Sequence, residues 1–200
     1  MPITSLRSSG PLEDRALAAM FEARKQVFVD LLRWDLPVLD GRFEVDEFDD
    51  RHAVYLIVSD RDGGHLGSAR LLPTTRPYLL ATHFPSLCAS LPCAPDSWEI
   101  TRFCLDRRLA APQRRAVRDQ LVSGLARHAL EHGIQTYYGV AELPWLQQIL
   151  AFGWRCDPAG LPRAIGSRKL GALRISIDEE TPALLAANGI GETAPLAAAA

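Results

Sequence analysis

Apolar spacing opens the chain on a helix. Across residues 11–33, PLEDRALAAMFEARKQVFVDLLR, the positions Leu17, Met20, Phe21, Arg24, Val27, Phe28 and Leu31 recur at the intervals of one helical face, and Pro37 and Gly41 break the pattern. Residues 40–50, DGRFEVDEFDD, are acidic with Phe43 and Phe48 interleaved, and read as a loop. The β-branched and apolar run AVYLIVS (53–59), the turn signal DRDGG (60–64) and HLGSARLLP (65–73) predict an antiparallel hairpin. Residues 74–97 hold Pro77, Pro85, Pro92 and Pro95 and read as a long irregular segment with a short helix at 83–90. Long loops in compact domains are more often functional than idle. SWEITRFCL (97–105) reads as a strand.

In the second half, residues 112–132 predict a helix, with Pro112 suited to its first turn and Gly133 to its stop. IQTYYGV (134–140) predicts a strand, and ELPWLQQILAF (142–152) a short helix closed by Gly153. The last strands fall in 161–179, with RISID (174–178) the clearest. This order fits an α/β (mixed α+β) class with a central, mixed, twisted sheet flanked by helices. It matches the layout of GNAT-like acyltransferases, an analogy of fold that does not establish function. A single domain is expected over 1–180, followed by a frayed Ala-rich tail over 181–200.

Composition narrows the function classes. The chain has 200 residues, 48% hydrophobic and 23% charged, which are globular proportions. A formal net charge of -2 gives no global basic field for nucleic acid. The N-terminus lacks the apolar core of a signal peptide, and no stretch approaches the roughly 20 apolar residues of a membrane helix, so a cytoplasmic protein is expected. Cys88, Cys93, Cys104 and Cys156 form no C-x-x-C pair and have no histidine at zinc-finger spacing, so they are expected to be reduced and no metal is expected.

Candidate chemistry lies in charges set among apolar elements. Arg24 shares a helical face with Phe28, and Trp34 follows at the helix end. Its head either reaches water along a packed stem or finds a buried partner. The carboxylates Glu44, Asp46, Glu47, Asp49 and Asp50 are either solvated or carried inward by Phe43 and Phe48. Arg70 alternates against Ala69 and Leu71. Glu99 and Arg102 are three apart on a strand, which puts them on opposite faces unless a bulge intervenes; edge-strand ion pairs are the plain alternative. Arg24, Arg70 and Arg102, with Asp46, Asp49 and Glu99, are expected to pair with each other or with a ligand.

Taken together and in this order, these residues resemble the acyl-homoserine-lactone synthase family of autoinducer synthases. The shared pattern is an R-x-x-x-F with a following Trp (Arg24, Phe28, Trp34) and an E-x-D-x-F-D segment (Glu44, Asp46, Phe48, Asp49). A G-x-x-R-L-L-P-T strand with Arg70, the phrase RPYLLATHFPSL (76–87), and a W-E-x-[ST]-R-F motif (Trp98, Glu99, Thr101, Arg102, Phe103) complete it. The resemblance covers residues 20 to 105 and is looser from 106 onward.

The resemblance implies that the amine of S-adenosylmethionine attacks an acyl thioester, on acyl carrier protein or CoA, and that the methionine carboxylate then expels methylthioadenosine to close a lactone. S-adenosylmethionine is thus a substrate, with no further cofactor. The implied catalytic set is Glu99, as a base through a water and better with a raised pKa, together with Arg102, Arg70, Asp46 and Asp49. Arg24, Phe28, Trp34 and Phe103 would bind S-adenosylmethionine, with Arg24 either holding its carboxylate or locking the acidic loop. Trp145, Leu146, Ile149, Leu150 and Phe152 are candidate walls for the acyl chain, or plain core. Arg155, Arg163, Arg168, Lys169 and Arg174 are candidates for docking an acidic carrier, or plain surface charges. The competing readings are a GNAT-like acyl-CoA N-acyltransferase acting on another amine and a non-catalytic binding module. Against the first, residues 106–116, DRRLAAPQRRA, lack the glycines of a pyrophosphate loop.

Overall fold

Helix α1 (Arg15–Arg24) buries Leu17, Met20, Phe21 and Arg24, the face that the spacing selects. The computed structural model, which describes residues 3–7 and 15–191, continues it directly as a π-helical segment, Lys25–Leu31. There Leu32 N donates to Val27 O at 2.9 Å, five residues back. The helix stops before Pro37, because Arg33 turns into the left-handed region at φ 57. The acidic stretch is not wholly loop: β2 (Val38–Leu39) and β3 (Phe43–Glu44) form a small antiparallel ribbon, its turn made by Asp40 at φ 51 and Gly41 at φ 66.

The described chain groups into two compact units. Of the described residues, the first comprises those up to Arg70 together with Arg102–Gly124, and the second comprises Leu71–Thr101 and Leu125–Gly191. In the first, β1 (Ile3–Arg7) pairs antiparallel with β4 (Val54–Ser59), and β4 neighbours β5 (His65–Pro73). The turn between β4 and β5 closes as expected, with Asp60 Oδ1 accepting from Asp62 N at 2.9 Å and Gly64 N at 2.6 Å. Strand β6 (Ser97–Leu105) coincides with SWEITRFCL and, like β5, has residues in both units. So does helix α3 (Ala111–His132), which carries Pro112 in its first turn and ends at Gly133, φ 68.

In the second unit β6 runs parallel to β7 (Thr136–Glu142), and β10 (Arg168–Ser176) pairs antiparallel with β7. β8 (Arg155–Pro158) and β9 (Arg163–Ile165) also pair with β10, and β8 lies outside the stretch where the last strands were expected. Helix α4 (Leu143–Leu150) packs on this sheet, with Leu146 Cδ1 only 2.8 Å from where a Cβ at Gly171 would stand.

Three elements depart from the sequence expectation. The short helix is α2 (Leu79–His83), followed by a 3₁₀ turn at Pro85–Leu87, rather than one helix over 83–90. Pro85 has no N–H to continue a helix and can only start a new turn. Residues 181–191 are not a frayed tail: α5 (Thr181–Ala187) buries Thr181 and Leu185, and Ile190 is buried beyond it. The remainder of the expected tail, 192–200, lies outside the described residues. No helix of the described residues is long and apolar enough to cross a membrane. The fold is mixed α/β and GNAT-like.

Candidate active site

The first unit folds its charged residues inward around three arginines. Arg24, on the last turn of α1, donates from Nε to Glu44 Oε2 at 2.5 Å and forks onto Asp49 with two bonds of 2.8 Å. Arg70, on β5, forks onto Asp46 at 2.5 and 3.0 Å and reaches Asp49 at 2.8 Å. Arg102, on β6, holds Glu44 Oε1 at 3.0 Å and Asp46 Oδ2 at 2.7 Å. Planar guanidinium forks match carboxylates two bonds at a time, which fixes both partners. Arg24, Arg70, Glu44 and Asp49 are essentially without solvent exposure.

The acidic residues are held by their own backbone as well. Asp49 Oδ2 accepts from Asp46 N at 2.8 Å, and Asp46 Oδ1 accepts from Phe48 N at 2.9 Å. Tyr55, on β4, donates its hydroxyl to Asp49 Oδ1 at 2.8 Å. Burial alone would push the Asp49 carboxyl up; the charges of Arg24 and Arg70 outweigh it and hold the group well below the usual carboxylate range. Burial likewise works against the charge on Arg24, and Asp49 and Glu44 overcome it. Each guanidinium also lies against an aromatic ring, at 4.9 Å for Arg24 over Phe21, 5.7 Å for Arg70 over Phe48 and 5.6 Å for Arg102 over Phe28.

Arg102 reaches this cluster through a break in strand geometry. Its φ is 50, and burial along β6 stops alternating there: Glu99 and Thr101 are buried, as period two requires, and Arg102 is buried too. The alternation of the strand thus breaks at Arg102. Glu99 belongs to the second unit. It is fully buried, and its oxygens accept from the backbone amides of Leu79 at 2.8 Å and Leu80 at 2.9 Å. Beside it in sequence space, the loop 74–97 is tied by Thr74 Oγ1, which donates to Ser97 O at 2.8 Å, and by Tyr78, whose hydroxyl donates to Pro92 O at 2.7 Å. Burial, then the charge of Glu99, pushes the Tyr78 phenol up to about 12.

Comparison with known proteins decides the family. A family model described as autoinducer synthase matches residues 10–185. The chain belongs to the autoinducer synthase family. It is 38% identical over 193 residues to an acyl-homoserine-lactone synthase of Ralstonia nicotianae, covering 93% of this chain and 94% of the relative. Among solved structures it is similar to the CoA-dependent acyl-homoserine lactone synthase BjaI, solved with SAM and isopentyl-CoA, at TM-score 0.83 and 29% identity, covering 96% of this chain and 90% of that one. It is similar also to TofI, solved in a ternary complex with an inhibitor and MTA, at TM-score 0.77 and 32% identity, covering 93% of this chain and 97% of that one.

The other expected site residues of this family member fall in both units. Phe28 is buried and stacks on Trp34, centroids 4.9 Å apart, while Trp34 and Phe103 are half-buried. Among the expected acyl walls, Leu146 and Phe152 are buried, whereas Trp145, Ile149 and Leu150 keep partial exposure. The expected docking cations are mostly engaged. Arg155 pairs with Asp178 and Glu180, Arg168 with Glu142 at 3.2 Å, and Arg174 with Asp157 at 3.8 Å. Arg163 Nε donates to Ser86 O at 2.8 Å, and Lys169 is exposed. Among the described residues, no group of three or more His, Cys, Asp or Glu could hold a metal ion. Sequence reasoning named Glu44 as a motif residue without giving it a role, and it did not single out the Tyr55 hydroxyl, which sits inside an apolar strand.

Proposed function

We propose that the chain is a cytoplasmic acyl-homoserine-lactone synthase acting as one domain over 1–180, and that its product is a quorum-sensing signal. The amine of S-adenosylmethionine attacks the carbonyl of an acyl thioester, carried by acyl carrier protein or CoA. An amide bond forms, the C–S bond breaks, and the thiol leaves with the proton that the amine gives up. The methionine carboxylate then attacks its own γ-carbon, closing the lactone as the second C–S bond breaks and methylthioadenosine departs. No metal or additional cofactor takes part.

One observation carries this reading: within the span matched by the family, the residues of the shared motifs gather into a single buried knot of Arg24, Arg70, Arg102, Glu44, Asp46 and Asp49. The charged ends of Arg24, Arg70 and Asp49 are engaged with one another, so they act as positioning residues that lock the acidic loop. Arg102 and Asp46 position the neighbouring strand and loop. Phe28 is already covered by Trp34 and Arg102, which leaves the half-buried Trp34 and Phe103 as the rings for S-adenosylmethionine. Glu99, held in place by the two backbone amides that donate to it, relays the amine's proton through a water. Trp145, Ile149 and Leu150 line the acyl chain, with Leu146 and Phe152 packing behind them.

The test is to incubate the protein with S-adenosylmethionine and acyl carrier protein or CoA thioesters and to follow methylthioadenosine by chromatography. Its thioester-dependent release is expected. An acylated amine formed without it would point instead to a GNAT-like N-acyltransferase for another amine, and no product at all to a binding module.

A further inference from the structure

The second unit contains a tie that the reaction above does not use. The connection between β8 and β9 lies against the segment that follows α2. Ala89 N donates to Ala159 O at 2.9 Å, and Arg163 Nε donates to Ser86 O at 2.8 Å. Between these two bonds stands Gly160. A Cβ built there would overlap the Leu87 carbonyl oxygen, with the carbonyl carbon at 3.0 Å and Ala89 N at 3.2 Å. Backbone atoms cannot swing aside as a side-chain tip can. Gly160 is not among the glycines with positive φ, so it is required for space and not for a left-handed backbone. Leu87 is fully buried, which anchors the same segment from its other side.

That segment begins where α2 ends. The 3₁₀ turn Pro85–Leu87 follows His83 after one residue, and α2 supplies the Leu79 and Leu80 amides that hold Glu99. We propose that Gly160 and Arg163 form a latch that positions the amides of Leu79 and Leu80 on Glu99, making both residues positioning residues for proton transfer in the acylation step. This inference rests on the proposed role of Glu99. It also gives Arg163 a different task from carrier docking.

The experiment compares wild type with Gly160→Ala, Arg163→Ala and the neighbouring control Leu161→Ala, whose side chain is 81% exposed. Two quantities are read: amide hydrogen exchange at Leu79 and Leu80, and kcat with KM for S-adenosylmethionine. The latch predicts faster exchange at these two amides in Gly160→Ala, with exchange in β7 and β10 unchanged. It predicts a kcat lower by about 10- to 100-fold, because small displacements at a reacting centre are costly, with KM changed less than about twofold. Arg163→Ala, a milder change should Gly160→Ala fail to fold, shifts both in the same direction, and Leu161→Ala shifts neither. In the background of Glu99→Gln, Gly160→Ala adds no further loss, since both act through one group. Unchanged exchange at Leu79 and Leu80 in a folded variant overturns the latch, as does full additivity with Glu99→Gln. Near-normal turnover by Glu99→Gln instead overturns the base assignment, a result that the exchange measurement does not touch.

Discussion

At Arg102 the backbone leaves strand geometry with φ 50, and the side chain turns to Glu44 and Asp46. Period-two spacing showed that Glu99 and Arg102 needed a bulge to share a face, and it named the residues without locating the irregularity. Arg24 was legible as a charge on an apolar face, because 3.6-residue spacing admits no other position for it. Glu44 was legible only through the shared motif, since an acidic run has no period to say which carboxylate turns inward. Asp46 answers to both Arg70 and Arg102. Asp46→Asn is expected to cost about 3–5 kcal/mol, as when one partner of a buried ion pair is lost, and to abolish most turnover while the protein stays folded. Wild-type rates with a normal melting curve would remove the knot from the mechanism. A second buried residue sets an acid limit. His65, held through Nε2 at 2.8 Å from Ser68 Oγ, has its pKa lowered to about 4 by burial, with Asp106 opposing and Arg108 assisting. Its folded value lies below the unfolded one, so the neutral ring's contribution is intact above about 6.5 and is lost as pH falls towards 4. Unfolding free energy should drop by up to about 3 kcal/mol across that window, and His65→Gln should flatten the slope.

Element boundaries were legible where two signals agreed. β5, β6 and α3 follow the alternation, the proline at a helix start and the glycine at its end. The π-helical segment was hidden, because the same apolar positions satisfy α and π spacing over two turns, and hydrogen bonds such as that from Leu32 N to Val27 O tell them apart. β8, RCDP, is short, polar and ends in proline, so nothing in its pattern announces a strand. In and just after α5, the Ala-rich composition concealed the anchors Leu185 and Ile190. Packing between elements has its own sharp requirements. A Cβ at Gly67 on β5 would lie 2.7 Å from Val117 Cγ1 of α3 and 3.0 Å from Leu105 Cδ2 of β6. Gly67→Ala should therefore destabilise the protein by about 1–3 kcal/mol through overpacking, read as a lower denaturant midpoint at an unchanged slope. Val117→Ala in the same chain should recover part of the loss.

Over the whole molecule, charge is more evenly matched than the sequence suggested. Arg155, Arg168 and Arg174 each stand beside an acidic residue, so an acidic carrier docking there would have to compete for them. Reversal of Arg168 and Lys169 to glutamate is expected to raise KM for acyl carrier protein several-fold and to leave KM for S-adenosylmethionine unchanged. An unaltered carrier KM in steady-state assays would exclude that surface. The mixed α/β class followed from the order of elements. The division into two units did not, because its borders at Arg70 to Leu71 and Thr101 to Arg102 cut through strands, and that at Gly124 to Leu125 through α3, instead of linkers. β5 and β6 therefore belong to two folding neighbourhoods at once, and neither neighbourhood is a continuous piece of chain. If the gene is divided at the exposed turn Arg61–Asp62, neither product holds the first unit whole. Fragments made apart should be inert and regain synthase activity only on mixing, which makes that turn a natural place to build a two-component reporter of proximity.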